Sequence, residues 1–405
     1  MSQESAIATR AAIARVFREE AGRLTGALVR LIGDFDEAED LVQEALLAAL
    51  EHWPQEGIPD RPGAWLMTAA RRRAIDRWRR QARYQQVLSR VVSEPVDAPA
   101  EPDDRLRLIF MCCHPSLGRE AQLALTLRAV VGLTTAEIAR AFLSSEATIA
   151  QRIVRAKRKI VEARIAYRVP AAGDLTSRLD EILRVLYLLF NEGYLSTGHI
   201  AAVRRDLAEE AEWLTALLDR LLPGQPETLG LLALIRLHRA RDPARLGPEG
   251  GLVLLQHQDR RLWDRSLIAE ATALLERAAR MGRPGPYQVQ AAIVACHAES
   301  PSWEATDWPQ ILALYDVLAR FDPSPVVALN RAIALRYVAG PEAALIAVDT
   351  LGGALDRYHL FHATRAELLR ALGRKEEARD ADLRAIALTA NPAERALLEE
   401  RIGLP

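Results

Sequence analysis

Three sets of side chains stand out by type and spacing. Between Arg61 and Arg90 nine arginines (61, 71, 72, 73, 77, 79, 80, 83 and 90) face one acid, Asp76, with Trp65 and Trp78 among them. Guanidinium groups pair with phosphate, and an indole offers its face to an unstacked base. Just upstream, nine acids and no Lys or Arg lie between Leu31 and Asp60; among them Asp40, Gln43 and Glu44 recur at i, i+3, i+4. That spacing puts all three on one helical face. Further on, Thr148, Gln151, Arg152 and Arg155 are donor-rich groups suited to base edges, and Lys157, Arg158 and Lys159 are cations suited to phosphates. The chemistry is therefore binding. No glycine-rich phosphate loop, nucleophile motif or paired metal ligands occur, so neither an enzyme nor a cofactor is expected. Met111-Cys112-Cys113-His114 invites a metal reading, but adjacent cysteines hold one ion poorly and no C-x-x-C or H-x-x-H partner exists. They are read as packing residues, and His238, His257, His297, His359 and His362 as packing or surface residues.

The elements that must position these groups all read as helix. Residues 5–32 form one amphipathic helix or two short ones. From Glu37 to Trp53 the apolar set Val42, Ala45, Leu46, Ala49, Leu50 and Trp53 follows the helical template and forms the expected buried face. Pro62-Gly63 starts the arginine helix, 63–83, whose arginines spread around most of its circumference; such a helix is not expected simply to lie on a core. Residues 93–104 (SEPVDAPAEPDD) form an acidic, proline-rich linker. Thr134 and Glu137 make a capping box for a short helix, and Ser145 caps the next. There Ile149, Ile153, Ala156 and Ile160 form a buried stripe, with Thr148, Gln151, Arg152, Arg155 and Lys159 on the other side. This is a helix-turn-helix pattern, although its turn, Leu143-Ser144-Ser145, lacks the frequent glycine. Plainer readings stand beside each set: a solvated basic face, or acids favoured near a helix N-terminus.

The chain's 405 residues are half hydrophobic, enough for two or three domains with cores. The net charge of −1 hides a division: residues 1–169 carry 26 basic and 22 acidic side chains, and the remainder carries 27 and 32. Three cysteines make no disulfide framework, and the N-terminus has no apolar leader. A soluble, cytoplasmic protein with no membrane association is expected. Beyond Pro170, Leu179–Phe190 is a strongly apolar helix ending in Asn191-Glu192-Gly193-Tyr194. Near the end a shift of 34 residues pairs Arg331 with Arg365, Ala332 with Ala366, Leu335 with Leu369, Arg336 with Arg370, Glu342 with Glu376 and Ala344 with Ala378. Thirty-four is the tetratricopeptide period.

The stretches DFDEAEDLVQEALLAAL, PGAWLMTAARRRAIDRWRR and GLTTAEIARAFLSSEATIAQRIVRAKRKI, with the acidic linker between the last two, resemble RNA polymerase sigma factors of the extracytoplasmic-function type. The resemblance covers residues 5–168; LRVLYLLFNEGY and DPSPVVALNRAIAL are similar to a group with a long tetratricopeptide extension. It implies an all-α chain: region 2 over 5–92, a linker over 93–104, region 4 over 105–168, and a helical extension over 170–405 with repeats near 323–392. It implies RNA polymerase core and promoter DNA as partners, and a protein or peptide partner for the extension. By that resemblance Asp40, Gln43 and Glu44 grip the polymerase clamp helices. The arginine helix, with Trp65, Arg72, Arg73, Arg77, Trp78, Arg79 and Arg80, meets the −10 element. Residues 146–159 meet the −35 element. A helix-turn-helix regulator with a tetratricopeptide sensor, and a pure scaffold, are the rival readings. A regulator of that kind needs neither the acidic helix nor the arginine helix.

Overall fold

Alanine- and leucine-rich amphipathic segments become helices wherever the described chain can bury their apolar stripes. The structure, a computed structural model, describes residues 16, 20–81, 104–142, 144–194, 201–247, 251–389 and 391–403; of residues 78–81, 140 and 201–206 it describes the backbone alone. Residues 93–103 of the expected linker, and Arg83 and Arg90, lie outside the described residues. No β-strand occurs among the described residues, only one isolated bridge between Leu246 and Leu252. The chain divides into two compact units, Met1–Leu189 and Phe190–Pro405.

The first unit opens with helix α1 (20–32), then α2 (Phe35–Glu56) and α3 (Pro62–Gln81). Asp34 caps α2 by accepting from the Glu37 amide at 3.0 Å. These helices share a core of Leu24, Leu28, Leu41, Val42, Ala45, Ala49, Trp53, Leu66, Ala70 and Ala74. Two expectations are corrected here. The arginine helix does lie on a core, because Leu66, Ala70 and Ala74 recur at i, i+4, i+8 and give it a narrow stripe of small residues. Leu50 is 39% exposed rather than buried, because small residues at 38, 45, 48 and 49 draw the packed face towards Leu41 and leave Leu50 at its edge.

Helices α4 (Asp104–Cys112), α5 (Arg119–Thr126), α6 (Thr135–Ala141) and α7 (Glu146–Glu162) follow, with a π-helical turn, Leu127–Val131, extending α5. The capping box forms: the Thr134 amide donates to the Glu137 carboxylate at 2.7 Å and the Glu137 amide to the Thr134 hydroxyl at 3.2 Å. Ser145 caps α7 through the Thr148 amide at 3.1 Å, and Ile149, Ile153, Ala156 and Ile160 are its buried stripe. Cys112 and Cys113 are buried, the latter with its Sγ 3.5 Å from the Thr126 hydroxyl; burial pushes the Cys113 thiol up to about 12. The unit's last helix, α8 (Ala172–Tyr194), carries the expected apolar run; Leu179, Ile182, Leu183 and Leu186 are buried. Arg178 at its start donates to the Phe110 carbonyl of α4 at 2.6 Å.

The second unit continues through α9 (Ala201–Leu221), α10 (Pro226–Arg239), α11 (Arg265–Arg280), α12 (Pro286–Glu299), α13 (Trp308–Phe321) and α14 (Pro325–Asp349). The short α15 (Gly352–Leu355) precedes α16 (His359–Ala371), α17 (Lys375–Leu388) and α18 (Pro392–Arg401). Gly340 breaks α14 with φ 88°, a left-handed conformation that glycine adopts without Cβ strain, so 325–349 is a helical hairpin. Helices α16 and α17 form the next. Ala332 and Ala366 are buried, as are Ala344 and Ala378, so residues 34 apart occupy equivalent packed positions. Arg331, paired with Asp316 at 2.6 Å, and Arg365, paired with Asp349 at 2.7 Å, also stand 34 apart, their acids 33.

Candidate nucleic-acid interface

Helix α2 carries the acidic patch. Asp40 is 68% exposed, whereas Glu44 turns towards α3, where it accepts from Arg77 at 2.5 Å and faces Arg73 at 3.5 Å. Asp40 is a looser neighbour of Arg77, at 3.9 Å. Gln43 is half-buried, and Leu47 and Leu50 extend its exposed side. Two sets expected to serve different partners thus hold one another: the acids of α2 and the arginines of α3.

On α3, Arg72 is exposed while Arg73 and Arg77 are part-covered by these pairings. The side chains of Trp78, Arg79 and Arg80 lie outside the described residues. Trp65 is corrected: it packs against the core, edge-on to Trp53 at 5.3 Å, instead of standing free for a base.

On α7, Thr148, Gln151, Arg155, Arg158 and Lys159 are exposed, on the side away from the isoleucine stripe. Arg152 is half-buried and pairs with Glu120 of α5 at 2.7 Å. Lys157 is the second correction. It is not a free cation for phosphate but meets Asp36 at 2.5 Å and Glu39 at 2.7 Å, both on α2, and lies over the Phe35 ring at 5.2 Å. Burial works to lower its pKa, but Glu39 and Asp36 outweigh it and hold the ammonium above its usual range.

Lys157 belongs to a joint that sequence reasoning missed. Arg128, on the π-helical turn, pairs with the same Glu39, a carboxylate almost wholly buried. Alongside, Arg30 of α1 meets Asp104 of α4 at 3.1 Å, and the Tyr167 hydroxyl lies 2.8 Å from the carbonyls of both Gly26 and Asp104. A Cβ on Gly22 would stand 2.5 Å from the Val130 carbonyl oxygen, so only glycine permits this approach. The bundle α1–α3 and the helix-turn-helix are therefore docked through a buried ionic cluster. One sign was legible: Arg128 is the only charged residue between Glu120 and Glu137, and buried cations are paired.

Comparison with known proteins agrees with this division. A family model for sigma-70 region 2 matches residues 16–84 and one for sigma-70 region 4 matches 107–160. A family of unknown function (DUF6596) matches 178–279. The chain is 45% identical over 388 residues to uncharacterized protein R00370 of Rhizobium meliloti, covering 93% of this chain and 92% of that one. It is 35% identical over 164 residues to ECF RNA polymerase sigma factor SigL of Mycobacterium tuberculosis, which is 38% of this chain and 90% of the relative. Against the probable ECF sigma factor SigI of the same species the figures are 29% over 195 residues, 43% and 67%. No solved structure matches.

An acidic and basic helical bundle followed by a helix-turn-helix defines a DNA-binding transcription initiation factor. The chain belongs to the ECF RNA polymerase sigma factors and carries a helical C-terminal extension. Sigma factors direct RNA polymerase core to promoter DNA, so these two partners follow from the family. Among the described residues no helix is long and apolar enough to cross a membrane.

Proposed function

We propose that α2 grips the polymerase through Asp40, Gln43 and Glu44, that α3 serves the −10 element through Arg72, Arg73, Arg77, Arg79 and Arg80, and that α7 reads the −35 element. The protein acts in the cytoplasm, where polymerase and promoter are. The observation carrying this reading is the open face of α7, where Thr148, Gln151 and Arg155 stand exposed opposite the buried stripe. Arg158 and Lys159 flank it as phosphate contacts. The test is transcription in vitro with core polymerase over a library of −35 sequences. Gln151→Ala and Arg155→Ala each relax preference at particular bases, because a good base contact discriminates by about 1–3 kcal/mol. Uniform loss over the library would instead make them phosphate contacts, and no dependence on core would make the protein a conventional regulator.

The docked joint bears on this function. Helices pack 8–10 Å apart, so α7, touching α2, lies within roughly 20–30 Å of α3. Elements centred near −10 and −35 are about 25 base pairs apart, or about 85 Å at 3.4 Å per base pair. The docked chain cannot span both. Engagement of both elements therefore requires the Glu39 cluster to open.

The extension, read as tetratricopeptide-like, offers a surface to a protein or peptide partner and is integral to activity. Its first helix, α8, lies on the helix-turn-helix domain: Arg178 bonds the Phe110 carbonyl and Glu181 meets Arg119 at 3.5 Å. A charge-driven lid would be weak, since net charge on a large surface is screened beyond about 8 Å at physiological salt. Ending the chain at Pro170 strips this apolar cover. Promoter-specific transcription should then fall severalfold at equal protein abundance; a rise above the full chain would establish a lid.

A further inference from the structure

Half-buried arginines in the second unit are, as a rule, matched by acids. Arg236 meets Glu212 at 2.9 Å, Arg239 pairs with Glu212, Arg336 with Glu367, and Arg370 with the fully buried Asp382. One neighbourhood breaks the rule. Arg241, just past the end of α10, is 7% exposed, yet its guanidinium reaches only the Tyr194 hydroxyl at 3.1 Å and His238 Nδ1 at 2.8 Å. Arg260 donates to the carbonyls of His297 and Ser300, both at 2.6 Å, and lies over Trp263 at 4.6 Å. Beside them the exposed Arg265 reaches the carbonyls of Ala298 and Arg260, each at 3.3 Å. Every one of these acceptors is neutral. Arg245, stacked on Tyr194 at 3.6 Å, has Asp242 at 3.6 Å. Glu304, at the surface, is the acid whose charge is felt at Arg260.

Unused hydrogen-bonding groups concentrate in the same place. Arg241 Nε, Arg260 Nη2, Trp263 Nε1 and His297 Nδ1 are buried without a partner. Three of these are obligatory donors, and the imidazole becomes one by choice of tautomer. Trp263 is 2% exposed. The groups are electrostatic neighbours: burial, then Arg241 and Arg260, hold His297 down to about 4, and burial, then Arg241, Arg245 and His297, hold His238 well below its ordinary value. Both imidazoles are thus neutral at physiological pH, and the arginines alone supply charge. Unmatched guanidinium charge at buried Arg241 and half-buried Arg260, with idle buried N–H groups, is costly, and this half of the chain carries 32 acids yet sets none against either within ion-pair distance among the described residues. An oxyanion would satisfy both the charge and the donors.

We propose that the extension holds a binding site for a small oxyanion, a phosphate or carboxylate group, built by Arg241, Arg260, Trp263 and His297. The site lies in the second unit, which contains none of the residues assigned to polymerase or promoter, so it makes the extension a receiver of a small anionic ligand.

Calorimetric titration of the full chain with inorganic phosphate, and separately with citrate, at constant ionic strength tests this. One probe should give saturable binding near one per chain, and which one does so separates phosphate from carboxylate as the ligand group. Arg241→Gln and Arg260→Gln should each weaken it at least tenfold. Arg261→Gln removes the same charge one residue away from a side chain that is 89% exposed, and should leave binding unchanged. Because Arg241→Gln could compromise folding, the unmutated chain supplies a second readout: the NMR titration midpoint of His297 should rise from near 4 when the binding probe is present. Absence of saturable binding with both probes, or equal weakening by Arg261→Gln, would overturn the site.

Discussion

The double variant Asp40→Lys/Glu44→Lys is expected to lose polymerase core at least a hundredfold while keeping its helical content. Asp40 is 68% exposed and makes one loose ion pair, so the fold gains little from it. An exposed pair contributes about 0–1 kcal/mol to stability, whereas truncating a charge inside an interface costs about 2–5 kcal/mol and reversal adds repulsion. The two consequences therefore separate cleanly. Glu44 needs more care, since its reversal sets a cation beside Arg73 and Arg77. Glu44→Gln alone provides the milder control. Binding is read by anisotropy of the labelled chain against core polymerase, with circular dichroism for the fold. Wild-type affinity in the folded double variant would remove α2's acidic face from the interface.

Opening the Glu39 cluster should be the second large effect. Glu39→Gln leaves Arg128 and Lys157 without the buried carboxylate that holds them, and breaking a buried pair by removing one partner costs about 3–5 kcal/mol. At about 1.4 kcal/mol per factor of ten, that shifts the docked population at least a hundredfold. Energy transfer between dyes at the exposed positions Thr68 and Glu146 should fall in the free chain. Gly22→Ala tests the same joint without touching a charge, because its Cβ collides with the Val130 carbonyl while favouring the helix that contains it. Binding of −35 DNA by the free chain should rise about tenfold or more in both variants. If transfer stays high in both, the cluster is not what holds the domains together.

Local features were legible because they are set by neighbours in sequence. The capping box of Thr134 and Glu137, the Ser145 cap and the isoleucine stripe all follow from spacings of three and four residues. Periodicity also located the arginine helix, but not its seat, since Ala70 and Ala74 carry little hydrophobic signal among so many arginines. What a stripe packs against is a different question. Glu39 and Arg128 are 89 residues apart, and nothing local distinguished Glu39 from the eight other acids around it. The same limit misplaced Lys157, whose basic neighbours Arg158 and Lys159 do face solvent. Charge type was readable from the sequence; the partner of each charge was not.

The Glu44–Arg77 contact has a thermodynamic consequence. On the proposed assignment of Glu44 to polymerase and Arg77 to DNA, the carboxylate and the guanidinium neutralise each other in the free chain at 2.5 Å. Whichever ligand arrives first must break that bond and bear its cost; the second finds its own contact already released. The two binding events are then positively linked, and linkage is reciprocal: core polymerase raises affinity for the promoter by the same factor as promoter raises affinity for core. On that assignment a single ion pair discourages the lone factor from occupying promoters and favours polymerase and DNA together.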